Sequence, residues 1–209
     1  SRKLGDKQGV AWSNVSLAIH LIAVGHREKG QKYLNEALGI IEDINIINTS
    51  GWVYYVKMIY DAFDEDYEGL KSTLRKLEAL PTTRQDFLSG IRRHHFLAEA
   101  GVGNMERARD YLPRKGEKLS GLWSHAMLLL NLALIFDHDG HPVKATELLY
   151  VALSNRSTSA WMSRLPITIK LKARLKVAVS KVVYSAAREN GKALTLEEAV
   201  QRSRDEGLF

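Results

Sequence analysis

The chain of 209 residues contains no cysteine, no long hydrophobic run and no recognisable signal peptide. The absence of cysteine excludes a disulfide scaffold, thiolate zinc sites and cysteine nucleophiles, and it fits a reducing compartment, so we expect a cytoplasmic location. The apolar run from Ala126 to Leu130 ends at Asn131, and no apolar run of the chain approaches the roughly 18 residues needed to span a bilayer. We therefore expect no membrane association, and because the chain begins with Ser1 we expect it to be a fragment of a longer protein.

Catalytic motifs are also missing. The glycines at positions 101 and 103 do not follow a predicted strand and lack the lysine of a phosphate-binding loop. The residues from Asp137 to His141 offer nitrogen and oxygen ligands, but all of them lie in one predicted turn, which favours a repeat turn over a metal site. We therefore expect a protein without enzymatic activity, cofactor or metal.

Positive charge is concentrated in one segment. The chain carries a net charge of +6, yet residues 158–194 contain eight lysines and arginines and a single acid, Glu189. Three interpretations remain open: a solvated helix face, a contact with an acidic partner, or a stripe that binds nucleic acid phosphates. The residues that would form this basic face are Lys170, Arg174, Lys181 and Arg188.

An aromatic residue recurs along the chain at intervals of 35 to 40 residues. Each one is expected to open a helix, and after each of the first four a break and a second helix follow. Such a period without strand-like alternation is typical of stacked helical hairpins. The recurring residues are Trp12, Trp52, Phe87, Trp123 and Trp161.

Two units show the repeat most clearly, residues 11–42 and 126–157. In each, small residues allow two helices to approach closely, and a glycine, Gly25 or Gly140, ends the first helix. The second of these units resembles the tetratricopeptide (TPR) repeat through Asn131, Leu132, Ala133, Phe136, Gly140, Ala145, Leu149 and Ala152. The resemblance implies an all-α, right-handed superhelix of about five antiparallel helix pairs with a C-terminal capping helix. Residues 1–157 would form four TPR-like hairpins, and residues 158–209 a basic helical cap continuous with them.

The C-terminal segment departs from the repeat. Two helices are predicted, Ser159 to Lys176 and Ala178 to Glu189, followed by a stop at Asn190-Gly191 and a last helix that opens with a capping box at Thr195. A single apolar stripe is expected to run through both of the first two helices, formed by Leu171, Leu175, Ala178, Val182 and Ala186.

The sequence from residue 190 to residue 200, after a basic helical pair, resembles the C-terminus of bacterial transcriptional regulators of the LuxR/MalT/AfsR type (STAND ATPases). This resemblance implies a non-catalytic sensor domain that binds a protein, a peptide or a small effector and contacts the other domains of a larger parent chain. The alternatives are a free-standing TPR adaptor that mediates protein–protein interaction and a basic helical-repeat protein that binds nucleic acid.

The resemblance to TPR repeats also implies a concave groove lined by the first helix of each pair. Aromatic and arginine side chains in an apolar groove are common anchors for a peptide or helix. The predicted groove residues are Trp12, Ile19, Trp52, Tyr55, Ile59, Arg93, Leu97, Met127 and Asp137, with Val15, Ile22, Leu130 and Leu134 as further positions.

Overall fold

The computed structural model describes residues 2–44, 47–81, 85–114, 117, 119 and 121–209. Within these residues the chain forms twelve α-helices and no strand, which confirms the all-α prediction. The helices are α1 (Arg2–Ala23), α2 (Arg27–Ile44), α3 (Ile47–Asp64), α4 (Tyr67–Glu78), α5 (Gln85–Gly101), α6 (Met105–Arg109), α7 (Gly121–His138), α8 (Pro142–Ala152), α9 (Arg156–Met162), α10 (Pro166–Ala178), α11 (Lys181–Lys192) and α12 (Leu196–Asp205).

The chain divides into two compact units, residues 1–84 and residues 85–209. Unit 1 contains α1 to α4 and unit 2 contains α5 to α12. The change from repeat to cap that was predicted at residues 157/158 lies inside unit 2, where α8 packs against both α10 and α11.

In unit 1, a tight turn brings α2 back onto α1. Gly25 adopts a φ of 91° after the last residue of α1, as expected of a glycine that ends a helix. Gly30 lies where α2 crosses α1 and α3: a Cβ at this position would overlap the Tyr60 hydroxyl oxygen and lie 3.1 Å from the Ala18 carbonyl oxygen. The Tyr60 hydroxyl donates a 2.9 Å hydrogen bond to that carbonyl. The absence of a side chain at residue 30 therefore leaves room for a buried hydrogen bond that joins α3 to α1.

The second hairpin of unit 1 begins with a local capping signal. The Asp66 carboxylate accepts a 2.9 Å hydrogen bond from the Gly69 backbone N–H and caps α4. Behind this turn, the buried Asp61 carboxylate accepts hydrogen bonds from Lys57 and, at 2.8 Å, from the Thr73 hydroxyl. Burial raises the pKa of Asp61, while its hydrogen bonds to Lys57 and Thr73 lower it in part. This polar network joins the two helices of the hairpin.

Unit 2 is built around α7. Its residues from Ala126 to Ile135 are all buried, and α5, α6, α8, α9, α10 and α12 pack against it. A helix that is apolar on all sides is expected at the centre of a helical body. Gly140 ends this helix with a φ of 79°, which confirms the predicted break.

The C-terminal helices differ from the prediction in two places. The helix expected from Ser159 to Lys176 is interrupted, and Pro166 occupies the first turn of a new helix, α10, where its missing N–H costs nothing. Gly191 does not stop α11 but lies within it, buried against α8, and a Cβ there would overlap the Glu147 carbonyl oxygen. The glycine is needed for close helix packing rather than for a turn.

The last helix begins as the sequence predicts. The Thr195 hydroxyl accepts a hydrogen bond from the Glu198 backbone N–H at 3.2 Å, and the Glu198 carboxylate accepts one from the Thr195 backbone N–H at 2.8 Å. This reciprocal capping box opens α12, which packs against α7 and α8.

Candidate functional site

Three stacked aromatic rings lie on the first helices of unit 1. The Trp12 ring on α1 stacks on the Trp52 ring on α3 with 5.9 Å between centroids, and Trp52 stacks on Tyr55 at 5.4 Å with an interplanar angle of 6°. Such stacked pairs contribute roughly 0.5–1.5 kcal/mol each beyond the burial of their area. We call these three residues the aromatic cluster.

The aromatic cluster is open to solvent on the α1 side. Trp12 is 52% exposed, whereas Trp52 and Tyr55 are half-buried. Ile19, also half-buried, lies seven residues after Trp12 and therefore on the same face of α1. The structure thus brings together four predicted groove residues on one surface of unit 1.

The helices that carry the cluster are firmly attached to each other. The Tyr60 hydroxyl holds α3 to α1 through Ala18, and burial raises the pKa of Tyr60 to about 12. The Asn14 amide on α1 donates a 3.0 Å hydrogen bond to Glu36 on α2. A large exposed aromatic ring on a rigid helical scaffold loses little conformational entropy on binding, which favours its use as an anchor.

The Trp52 indole is held in place without a polar contact. Its Nε1–H is buried and has no hydrogen-bond partner in the part of the chain that the structure describes. An unpaired buried donor costs about 1–3 kcal/mol. The ring is therefore retained at this position by stacking and packing, not by hydrogen bonding.

Several predicted groove positions are corrected by the structure because they are core residues. Leu97 and Met127 are each 1% exposed, so they offer no area to a partner. Leu97 lies on α5, which packs against α6 and α7, and Met127 lies on α7, which packs against α5 and α8, so contacts on two sides bury both residues. The same correction applies to Ile59, Val15, Ile22, Leu130 and Leu134, all of which are buried.

Arg93 is also buried and has a structural partner. Its guanidinium donates a 2.7 Å hydrogen bond to the Ser124 hydroxyl on α7, and its backbone carbonyl accepts a 3.3 Å hydrogen bond from the Asn131 amide. Arg93 therefore joins α5 to α7 instead of facing a groove, which corrects its predicted role.

Asp137 and Arg174, predicted for two different surfaces, form one ion pair. The Arg174 Nε and one of its terminal nitrogens both lie 2.8 Å from Asp137 Oδ2, and the Asp137 side chain is only 13% exposed. The pair attaches α10 to the end of α7. Neither residue is available as an isolated charge for a partner.

Of the other basic-face residues, Arg188 is also paired with an acid. Arg188 forms an ion pair with Glu189 at 2.9 Å, and its guanidinium lies 6.0 Å from the centroid of the Tyr150 ring. This ion pair raises the pKa of Arg188 and, together with Lys192, lowers the pKa of Glu189. Lys170 and Lys181 are exposed. Two of the four predicted phosphate-binding residues are thus already engaged by acids.

The turn from Asp137 to His141 is occupied by structural contacts. Arg109 donates to the Asp139 carboxylate, and His141 precedes α8 with its ring edge-on to Phe136 at 6.0 Å between centroids. In the described ranges no group of three or more His, Asp or Glu side chains could hold a metal ion.

Sequence reasoning missed an exposed apolar surface on α10 and α11. The predicted single stripe holds for Leu171 and Leu175, which are buried, but Val182 is 79% exposed. Val179 and Ser180 are extended, with ψ near 160°, and this interruption changes the phase of the second helix. The expectation that Ala178, Val182 and Ala186 face the core is therefore wrong, since all three are exposed.

Two findings frame the functional interpretation. Among the described residues no helix is both long and apolar enough to cross a membrane. The chain matches no family model, no curated protein and no solved structure.

Proposed function

We propose that the chain is a non-catalytic binding domain whose aromatic cluster receives a protein or peptide partner. The observation that carries the proposal is the stack of Trp12, Trp52 and Tyr55, with Trp12 52% exposed on a rigid helix pair. Tryptophan and tyrosine dominate binding energy at protein interfaces because they bury a large area with few rotatable bonds. A solvent-facing tryptophan supported by two further rings fits this use.

The more specific proposal is a TPR superhelix that serves as the sensor domain of a bacterial transcriptional regulator. It is supported by the sequence pattern and by four hairpins with glycine or capped turns, after which four more helices, α9 to α12, follow. In that role a protein, peptide or small effector binds at the aromatic cluster. The alternative is a free-standing adaptor with the same surface. A nucleotide-binding module encoded upstream in the same reading frame favours the sensor, and a start codon directly before the chain favours the adaptor.

Nucleic acid binding through the basic face is a weaker proposal. Arg174 and Arg188 are ion-paired with Asp137 and Glu189, so phosphate contacts would have to replace existing charge pairs.

The proposal can be tested by site-specific photo-crosslinking in the source cells. A photoreactive residue at position 8 lies one turn before Trp12 on the same face of α1, because Gln8 and Trp12 are four residues apart, and Gln8 is exposed. A matched probe replaces Val10, which is 49% exposed on the opposite side of the helix. We expect a discrete adduct from position 8 that is absent from position 10.

The matched variants are Trp12→Ala and Leu17→Ala, since Leu17 is 47% exposed but lies away from the aromatic cluster. The adduct from position 8 should disappear in Trp12→Ala and persist in Leu17→Ala. Mass spectrometry of the adduct distinguishes a protein or peptide from a small effector or RNA. Equal adducts from positions 8 and 10, or adducts that survive Trp12→Ala in a folded protein, would exclude the aromatic cluster as a partner site.

A further inference from the structure

Helix α10 is apolar on two opposite faces. Leu171 and Leu175 are buried on the inner face, which packs against α7 and α8. Ile169, Ala173 and Val177 follow one another at intervals of four residues and form a second stripe on the opposite side. Ile169 is 53% exposed and Val177 is 86% exposed.

Helix α11 repeats this arrangement. Its inner face buries Tyr184 and Ala187 against α8, whereas Val182 and Ala186 lie on the opposite side. Both helices rest on α8, so their opposite sides point away from it. We call the five residues Ile169, Ala173, Val177, Val182 and Ala186 the outer face.

Lysines border the outer face. On a helical wheel of α10, Lys170 lies on one side of the apolar stripe and Lys176 on the other, and Lys181 lies beside Val182 at the start of α11. All three are exposed. The only acid between residues 158 and 194, Glu189, is bound by Arg188 and Lys192. The exposed side chains of Lys176 and Lys181 thus place positive charge at the margin of the outer face.

A helix that is apolar on opposite sides normally has both sides covered, and an apolar patch with a charged rim marks an interaction surface. We propose that the outer face binds an amphipathic α-helix of another protein, with its apolar side on the valines and isoleucine and acidic residues on its flanks. Ala173 and Ala186 allow a helix backbone to approach closely. The acidic flanks complement the three lysines.

Other occupants fit the outer face less well. A second copy of this chain placed symmetrically on the outer face would bring lysines against lysines. Helices that lie in membrane interfaces use tryptophan, phenylalanine and leucine as anchors, and the outer face has none of these. Nucleic acid phosphates gain nothing from an apolar centre. The proposal does not depend on the aromatic cluster, which lies in unit 1, whereas the outer face lies in unit 2.

The experiment uses the full chain and a displayed library of helical peptides of about 18 residues, with leucine fixed on one face and all residues allowed at the flanks. We expect enrichment of peptides with aspartate and glutamate at the flanks. Binding of an enriched peptide, measured by fluorescence anisotropy, should weaken by roughly tenfold or more when Val177→Ser and Val182→Ser are combined. The matched control combines Val102→Ser and Val143→Ser, which change two exposed valines elsewhere in unit 2 and should leave affinity unchanged.

A charge reversal tests the flanks separately. The variant Lys170→Glu with Lys176→Glu should reject the acidic peptides and select basic flanks from the same library. Circular dichroism establishes that each variant is folded. The proposal is overturned if the wild type shows no preference for acidic flanks, or if binding is indifferent to the outer-face variants. The wild type is also tested for sedimentation with phosphatidylserine vesicles, for self-association in the ultracentrifuge and for binding of a single-stranded RNA. If it shows one of these activities and the two valine substitutions abolish that activity, the proposal is overturned as well.

Discussion

Substitution of Gly30 by alanine should destabilise unit 1 through one identifiable atom. An added Cβ would overlap the Tyr60 hydroxyl oxygen, and it would also lie 3.1 Å from the Ala18 carbonyl oxygen and 3.2 Å from Leu21 Cβ. Overpacking of this kind costs about 1–3 kcal/mol, whereas replacing glycine by alanine inside a helix contributes about 1 kcal/mol of stability. Because the overlapping atom belongs to a ring held by its own hydrogen bond, we use the upper value and expect Gly30→Ala to cost about 2 kcal/mol net.

The partner substitution, Tyr60→Phe, removes the oxygen that the new Cβ would meet. Alone it loses one buried hydrogen bond to Ala18, at a cost of about 1 kcal/mol. Combined with Gly30→Ala it should be close to neutral, because the steric overlap is gone and the gain in helix propensity remains. The double variant should therefore be about 3 kcal/mol more stable than the sum of the two single changes.

The measurement is hydrogen exchange of peptides from α1 to α3, which reports on unit 1 without assuming that both units unfold together. Gly39→Ala is the matched control in the same helix: a Cβ there meets nothing within 4 Å, so we expect a gain of roughly 0.5–1 kcal/mol. Additive effects of Gly30→Ala and Tyr60→Phe would refute the assigned contact between residues 30 and 60.

Three further changes test other parts of the fold. Trp52→Phe removes a buried N–H without a partner in the described part of the chain and should leave thermal stability within about 1 kcal/mol of the wild type, whereas Trp52→Ala should cost about 3–5 kcal/mol. In Gly191→Ala the added Cβ would overlap the Glu147 carbonyl oxygen, so we expect unit 2 to lose about 1–3 kcal/mol of stability. Hydrogen exchange of α8 and α11 measures this loss, and unchanged exchange would contradict the close packing of the two helices. Burial raises the pKa of Asp61 in the folded protein above the value of about 3.8 that it has in the unfolded chain. The folded protein therefore keeps a proton that the unfolded chain has already released. The free energy of unfolding should fall as the pH rises from about 3.8 through the folded-state pKa. Asp61→Asn should flatten that part of the stability profile in urea titrations at a series of pH values.

Helix ends were the part of the fold that the sequence predicted best, because their signals are local. Gly25 and Gly140 end helices with positive φ, and the capping box at Thr195 opens α12. Each signal acts within about four residues and needs no knowledge of the neighbouring helices. The aromatic spacing was less exact: Trp12 lies in the middle of α1 rather than at its start.

Side-chain burial could not be predicted as well, because it depends on which helices pack together. The groove assignment for Leu97 and Met127 failed where first helices are covered on two sides. The Asp137–Arg174 ion pair joins residues 37 positions apart, a distance over which a sequence pattern gives no information on contact. The structure places Trp12, Ile19, Trp52 and Tyr55 on one surface of unit 1, and their role in binding remains a prediction.

The tryptophans have a consequence for measurement. All four occur in stacked pairs: Trp12 with Trp52 in unit 1, and Trp123 with Trp161, whose ring centroids are 4.0 Å apart, in unit 2. Each stacked pair holds its indoles in a fixed, asymmetric environment, so it contributes to the near-ultraviolet circular dichroism spectrum only while both of its helices are docked. Replacing one ring of a pair by phenylalanine removes most of that contribution and leaves the signal of the other pair intact. The chain thus carries an intrinsic optical reporter in each unit, and the order in which the two units unfold can be followed without any added label.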